Sequence, residues 1–149
     1  MTSDRGQPTV ALDHRGAMPL VGLGTWQMTG ARCQAAVRTA LEVGYRHLDT
    51  ATMYRNEREV GRAVRDSGVP REQVFLTTKL PPGAAGRERR TLDSSLRELG
   101  MDYVDCGWST GRRGLGPWSR PGRSCWPRAT RGWPAPSGSA TTAPPSWTS

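Results

Sequence analysis

Apolar and polar residues alternate between two periods along the first two thirds of the chain. Residues 20–25 (LVGLGT) form a short apolar run closed by Gly-rich punctuation, which predicts a strand. Cys33, Ala36, Val37, Ala40 and Leu41 then recur at spacings of three and four, the signature of one helical face. Gly44 is placed to close that helix as a left-handed cap. Residues 46–50 predict a second strand. Asn56 reads as the N-cap of a second helix, with Glu59 three residues on completing a capping-box pair. Val60, Ala63, Val64 and Ser67 line that helix, and Gly68 ends it. Residues 74–80 (VFLTTKL) are β-rich and predict a third strand. Leu92, Leu96 and Leu99 mark a third helix, capped by Gly100, and residues 102–105 begin a fourth strand. Upstream, residues 10–12 and 18–20 flank a turn at 13–16 and predict a small hairpin.

Strand follows strand at a regular interval with a helix between each pair. Such alternation implies parallel strands joined by right-handed crossovers. A doubly wound sheet and a (β/α)8 barrel both satisfy it. Gly22 and Gly24 resemble the start of a dinucleotide fingerprint, but Gln27 stands where the third glycine belongs, which argues against a Rossmann unit.

Composition divides the chain at Asp105. All 13 acidic residues lie at or before it. The 44 residues beyond it hold five of the six Trp, seven of the 12 Pro and six Arg, with Leu115 as the one Leu and no Val, Ile, Met, Phe or Tyr. Of the net charge of +8, the front part carries +2 and the tail +6. The front part therefore reads as an ordinary soluble surface. Cys33, Cys106 and Cys125 show no CxxC spacing, so neither a metal site nor a disulfide frame is expected. Cys33 lies on an apolar helix face and reads as a small core residue. No signal peptide or membrane-spanning run is legible, and a cytoplasmic protein without a membrane partner is the expectation.

The candidate chemistry sits where predicted strands end. Asp49 ends the second strand (GYRHLDTA), Tyr54 follows in the loop (TATMYRNE), and Lys79 ends the third (FLTTKL). In parallel α/β folds the C-terminal strand ends open on one face, where active sites lie. Taken singly, Asp49 reads as a strand-end cap, Tyr54 as a loop aromatic and Lys79 as a solvated strand end. Together they form a constellation. Lys79 is also the one lysine beside 20 arginines. His47 lies within a strand and reads as a packed residue with no assigned chemistry.

GLGTWQM, AVRTALEVGYRHLDTATMYRNEREVGRAV, VFLTTKL and SLRELGMDYVD occur in one order and spacing. Over residues 8–105 the chain resembles the aldo-keto reductase family. The resemblance implies an NADPH-dependent oxidoreductase that reduces aldehydes and ketones on a (β/α)8 barrel. It implies an Asp–Tyr–Lys–His tetrad, to which Asp49, Tyr54 and Lys79 correspond. It also implies cofactor contacts at Gly24, Thr25 and Asp49, and no metal; Trp26, which follows the first strand, reads equally as a substrate-facing residue or as partial core. A free phenol has a pKa of about 10, and a cation beside it favours the phenolate. The resemblance casts Tyr54 as general acid, Lys79 as that cation and Asp49 as its counter-ion. The tetrad's His belongs at the end of the fourth strand, yet His14 and His47 are the only histidines.

The tail admits three readings. Arg interleaved with Trp suits nucleic-acid binding through phosphate contacts and stacking. A disordered, basic, low-complexity segment is the plainer reading and the favoured one of these two, because no period organises its Arg and Trp. A reading-frame change near codon 105 explains more. Offset by one base, residues 106–114 re-read as LWLVHWPPG, which contains the missing His. Residues 129–148 re-read at the same offset as DEGLARAIGVSNYSTAQLDE. Trp has the single codon TGG, so Trp133 before Pro134 forces Ala and Trp147 before Thr148 forces Asp, as in the re-read text. The expected organisation is therefore a barrel fragment of about four β/α units over residues 1–105 and an irregular, disordered tail over 106–149. Catalysis is expected to be absent or very weak. Open strand edges would then favour self-association.

Overall fold

The structure, a computed structural model, describes residues 7–12, 17–84, 87–109 and 125–130. β1 (Thr9–Ala11) and β2 (Ala17–Pro19) form an antiparallel hairpin, with Val10 opposite Met18. The predicted turn at 13–16 lies outside the described residues. Then come β3 (Leu23–Gly24), α1 (Gly30–Glu42), β4 (His47–Asp49), α2 (Glu57–Asp66), β5 (Phe75–Leu80), α3 (Glu88–Leu99), β6 (Tyr103–Ser109) and β7 (Cys125–Thr130). The second sheet has the order β3-β4-β5-β6-β7. Its first four strands are parallel neighbours, and β7 runs antiparallel to β6. This is the expected barrel fragment, each parallel strand separated from the next by one helix.

Packing explains why these segments take these shapes. The buried residues of α1 are Cys33, Val37, Ala40 and Leu41, the stripe that the spacing predicts. Val60, Ala63 and Val64 of α2 and Leu92, Leu96 and Leu99 of α3 join them. Leu48, Leu76 and Val104 meet these helices from three successive strands, forming one core. Burying a side chain of this size contributes roughly 1.5–3 kcal/mol. Burial pushes the Cys33 thiol up to about 11, and the Glu59 charge adds to it. That thiol is a packing element.

Four local features differ from expectation. Within the run at 20–25 only Leu23–Gly24 pairs as strand, because Leu20 and Val21 bend outward and are exposed. Asn56 occupies the N-cap position of α2, but its side chain makes no cap hydrogen bond. The capping box with Glu59 is therefore not formed, and the amide is engaged elsewhere. In the tail, residues 106–109 extend β6 and 125–130 form β7. Backbone hydrogen bonding to β5 and β6 carries these strands without a side-chain period. Cys106 is disulfide-bonded, which the spacing of the cysteines did not suggest.

α2 and α3 approach each other closely at one glycine, Gly61. α3 ends on Gly100 in the left-handed region (φ 63°), and Met101 N–H reaches back 3.0 Å to the Leu96 carbonyl. Just before this cap, the Leu99 carbonyl lies against Gly61 of α2, where a Cβ would collide with backbone. Backbone cannot swing aside as a flexible side chain can. Gly61→Ala is expected to destabilise the fold by about 1–3 kcal/mol, the usual cost of overpacking. A urea melt checks this, and an unchanged midpoint would show that α2 and α3 separate freely.

Candidate active site

The parallel register places the site. Asp49 of β4 pairs with Thr77 of β5, and Lys79 lies two residues further along β5. Residues two apart on a strand share a face, so Lys79 and Asp49 meet at the C-terminal end of the sheet. Lys79 Nζ donates to Asp49 Oδ2 at 2.5 Å and to Tyr54 Oη at 3.1 Å. Tyr54 arrives from the turn Thr52–Tyr54, whose Thr52 hydroxyl donates to the Lys79 carbonyl at 2.8 Å. One strand end thus holds its neighbouring loop through both backbone and side chain.

Electrostatics favour a charged Lys79. Burial by itself lowers the pKa of an ammonium. The hydrogen bonds to Asp49 and Tyr54, and the charges of both groups, outweigh it and raise Lys79 above the ordinary 10.5. Its contribution to stability is therefore complete below that value and is lost only as the pH rises through the folded pKa.

Trp26 stands beside this trio. Its ring meets Tyr54 edge-on with centroids 4.8 Å apart, and 58% of Trp26 remains exposed. The structure thus brings Asp49, Tyr54, Lys79 and Trp26 into one cluster. Gly24 lies at the adjacent end of β3, where a Cβ would have open space. Thr25 is fully buried, and its groups are all used internally. Its N–H and hydroxyl both donate to the Asp49 carbonyl, at 2.9 and 3.1 Å, and its own carbonyl accepts from Asn56. It braces the backbone of Asp49. The site for the tetrad's His, beyond Ser109, lies outside the described residues. His47 sits lower on β4, where Nδ1 is 3.0 Å from the Pro19 carbonyl and Nε2 is 3.1 Å from the Thr77 hydroxyl. A carbonyl only accepts, so Nδ1 bears a proton. His47 ties the β1–β2 hairpin to the sheet.

Asp49 also offers an open valence. Its Oδ1 is buried and has no hydrogen-bond partner. A buried acceptor without a donor costs free energy, and a hydroxyl of a bound molecule would satisfy it. This orphaned acceptor is compatible with a hydroxyl-bearing cofactor. Among the described residues no group of three His, Cys, Asp or Glu could hold a metal, and no helix is long and apolar enough to cross a membrane.

The aldo/keto reductase family model matches residues 20–108, more than half of the 149. The chain belongs to that family. A glycerol 2-dehydrogenase (NADP(+)) of Saccharomyces cerevisiae is 51% identical over 96 residues, covering 64% of this chain and 31% of that protein. A methylglyoxal reductase of Salmonella typhimurium is 46% identical over 99 residues, covering 66% of this chain and 36% of its own. The crystal structure of an aldo/keto reductase from Brucella melitensis superposes with a TM-score of 0.65 at 43% identity, over 68% of this chain and 41% of that one. A Bombyx mori aldo-keto reductase in complex with NADP gives 0.62 at 35% identity, over 68% and 37%. This aldo-keto reductase chain thus spans about a third of the length of the curated relatives it matches, 31% of one and 36% of the other.

Two site-supporting residues escaped the sequence reading. One is Asn56, described below. The other is Glu57, a residue only 5% exposed, whose carboxylate accepts from the Thr78 hydroxyl at 2.7 Å. It precedes Val60 by three and Val64 by seven, so helical spacing does place it on the buried stripe. Burial raises its pKa above the ordinary 4.5, against the Thr78 hydrogen bond and with help from the Glu98 charge. A carboxyl with a raised folded pKa holds its proton more tightly when folded. Its contribution is complete below 4.5 and declines as the pH climbs toward the folded value. Glu57→Gln keeps an acceptor for Thr78 and cannot ionise. Its melting temperature is expected to exceed that of the wild type at pH 8, and the gap to close on acidification. A gap that widened toward acid would contradict this account.

Proposed function

We propose that this chain carries the N-terminal part of an NADPH-dependent carbonyl reductase and that its own turnover is absent or very weak. The observation that carries the reading is the continuous chain Asp49–Lys79–Tyr54 at the C-terminal strand ends. NADPH, when bound, supplies a hydride to the carbonyl carbon of an aldehyde or ketone. The carbonyl oxygen then needs a proton, and the Tyr54 hydroxyl is the group placed to give it. Lys79 donates to Tyr54 Oη, so its ammonium stabilises the phenolate left behind. A compact ammonium can approach one oxygen as a point charge, where an arginine would bring a planar fork. Asp49 holds Lys79 by its Oδ2, and its free Oδ1 suits a cofactor hydroxyl. Gly24 leaves room beside that strand end, and Trp26 offers an apolar wall for a small carbonyl substrate.

The same reading gives the reason for the expected lack of turnover. The tetrad's His has no counterpart in the translated chain after β6. We further propose that residues beyond Asp105 arise from a one-base frame change, which restores that His in the alternative frame. Among the described residues the sheet ends on β3 and β7 with no further strand beside them, and such edges support self-association of the product.

The check is twofold. Sequencing the coding DNA is expected to show LWLVHWPPG in the offset frame after codon 105. NADPH consumption with simple aldehydes is expected to stay at background for the chain as it stands. It should rise once the frame is restored through the downstream DNA. In the restored protein, Tyr54→Phe is expected to lower kcat by about 10²-fold or more. Robust turnover by the present chain, or normal turnover by the Tyr54→Phe protein, would overturn the reading.

A further inference from the structure

Asn56 is completely buried, and all of its polar side-chain groups that can reach protein are engaged. Its Nδ2 donates to the Thr25 carbonyl at 2.8 Å and to the Met28 carbonyl at 2.9 Å. Its Oδ1 accepts from the Thr50 hydroxyl at 2.9 Å. A helix N-cap ordinarily turns its side chain onto its own helix. Here the amide forgoes that bond and joins two backbone carbonyls to one side-chain hydroxyl.

Those points define two turns. One runs from Thr25 to Met28 and presents Trp26. The other runs from Thr50 to Asn56 and presents Tyr54. Each contains a non-glycine residue in the left-handed region, Gln27 at φ 61° and Arg55 at φ 55°. Among the described residues they are the only two. That conformation costs roughly 1–2 kcal/mol per residue, and it persists where surrounding contacts over-determine it. Asn56 makes those contacts on both turns at once.

We infer that Asn56 is a positioning residue that locks the Trp26 turn and the Tyr54 turn into one unit, and so sets Tyr54 Oη against Lys79. The inference rests on reading Tyr54 as the proton donor, but its geometry can be tested without turnover. Thr25 and Thr50 flank Asp49 on the same network. Asn56 therefore reaches Asp49 through Thr25 and Thr50, and Tyr54 through the turn that precedes it, hydrogen-bonding neither by its own side chain.

The single lysine makes the test direct. In the full chain labelled with 13C-lysine, Lys79 supplies the one lysine Cε resonance, and its pH titration reports the ammonium's neighbours. In the full chain labelled with 5-fluorotryptophan, the Trp26 signal, assigned by Trp26→Phe, reports the Tyr54 ring. In the wild type, Tyr54→Ala is expected to shift the Trp26 signal and to lower the Lys79 midpoint. Asn56→Ala is expected to lower that midpoint by itself, and in its background Tyr54→Ala should have little further effect on either signal. Thr50→Val removes one of the three bonds while conserving shape. It should move both signals in the same direction by less, and it decides the matter if Asn56→Ala does not fold. Gly61→Ala, destabilising but remote, should leave both at their wild-type positions. Wild-type signals in folded Asn56→Ala or in Thr50→Val, or an equal change in Gly61→Ala, would overturn the inference. Failure of NADPH consumption in a frame-restored protein would strike the functional reading and leave this result standing.

Discussion

A partly buried ammonium has to be neutralised where it sits, and much of this structure follows from how Lys79 meets that demand. Its partner Asp49 comes from the neighbouring strand, so the pair exists only when β4 and β5 are parallel and in the observed register. Both side chains keep about a third or less of their surface exposed, 27% for Lys79 and 34% for Asp49. The pair therefore falls between two regimes. Exposed pairs contribute roughly 0–1 kcal/mol, and breaking a buried one costs roughly 3–5 kcal/mol. A register slip of one residue would turn Lys79 to the opposite face and leave Asp49 without its cation.

The dipeptide Asn56–Glu57 fastens the surroundings of that pair from two directions. Asn56 reaches the loops at the ends of β3 and β4. Glu57 reaches Thr78, the residue next to Lys79 on β5. One helix start thus joins three strands, and the Tyr54 turn lies directly before it. At the other end of the sheet Asp105 plays a comparable part. Its Oδ2 accepts from Arg71 at 2.8 Å and from the Leu76 N–H at 3.0 Å, which ties β6 to β5. Asp105 is also the last acidic residue of the chain. The compositional boundary therefore falls just after a residue that completes the packing of the front part.

Regular elements were legible because burial imposes a period on apolar residues. The stripes of α1, α2 and α3 all show it. Legibility failed where a polar group, not an apolar period, decides the conformation. The run at 20–25 looked like a full strand because hydropathy does not report which residues find a pairing partner. Asn56 looked like a cap because a cap and a cross-loop brace use the same side chain at the same helix position. In the tail the period was absent, yet β6 continues to Ser109 in register with β5.

By itself the sequence determined the alternation of strands and helices, the family, and the three residue types at the strand ends. Each of these is a local property, written in spacing and composition. Tertiary structure decided which groups touch. It set Lys79 between Asp49 and Tyr54, laid Trp26 against Tyr54, withdrew Thr25 into the backbone and turned Asn56 away from its own helix. Those outcomes depend on strand register and on competition among buried donors and acceptors for partners far apart in the chain. No local pattern encodes that competition, because it is resolved only when the backbone segments meet.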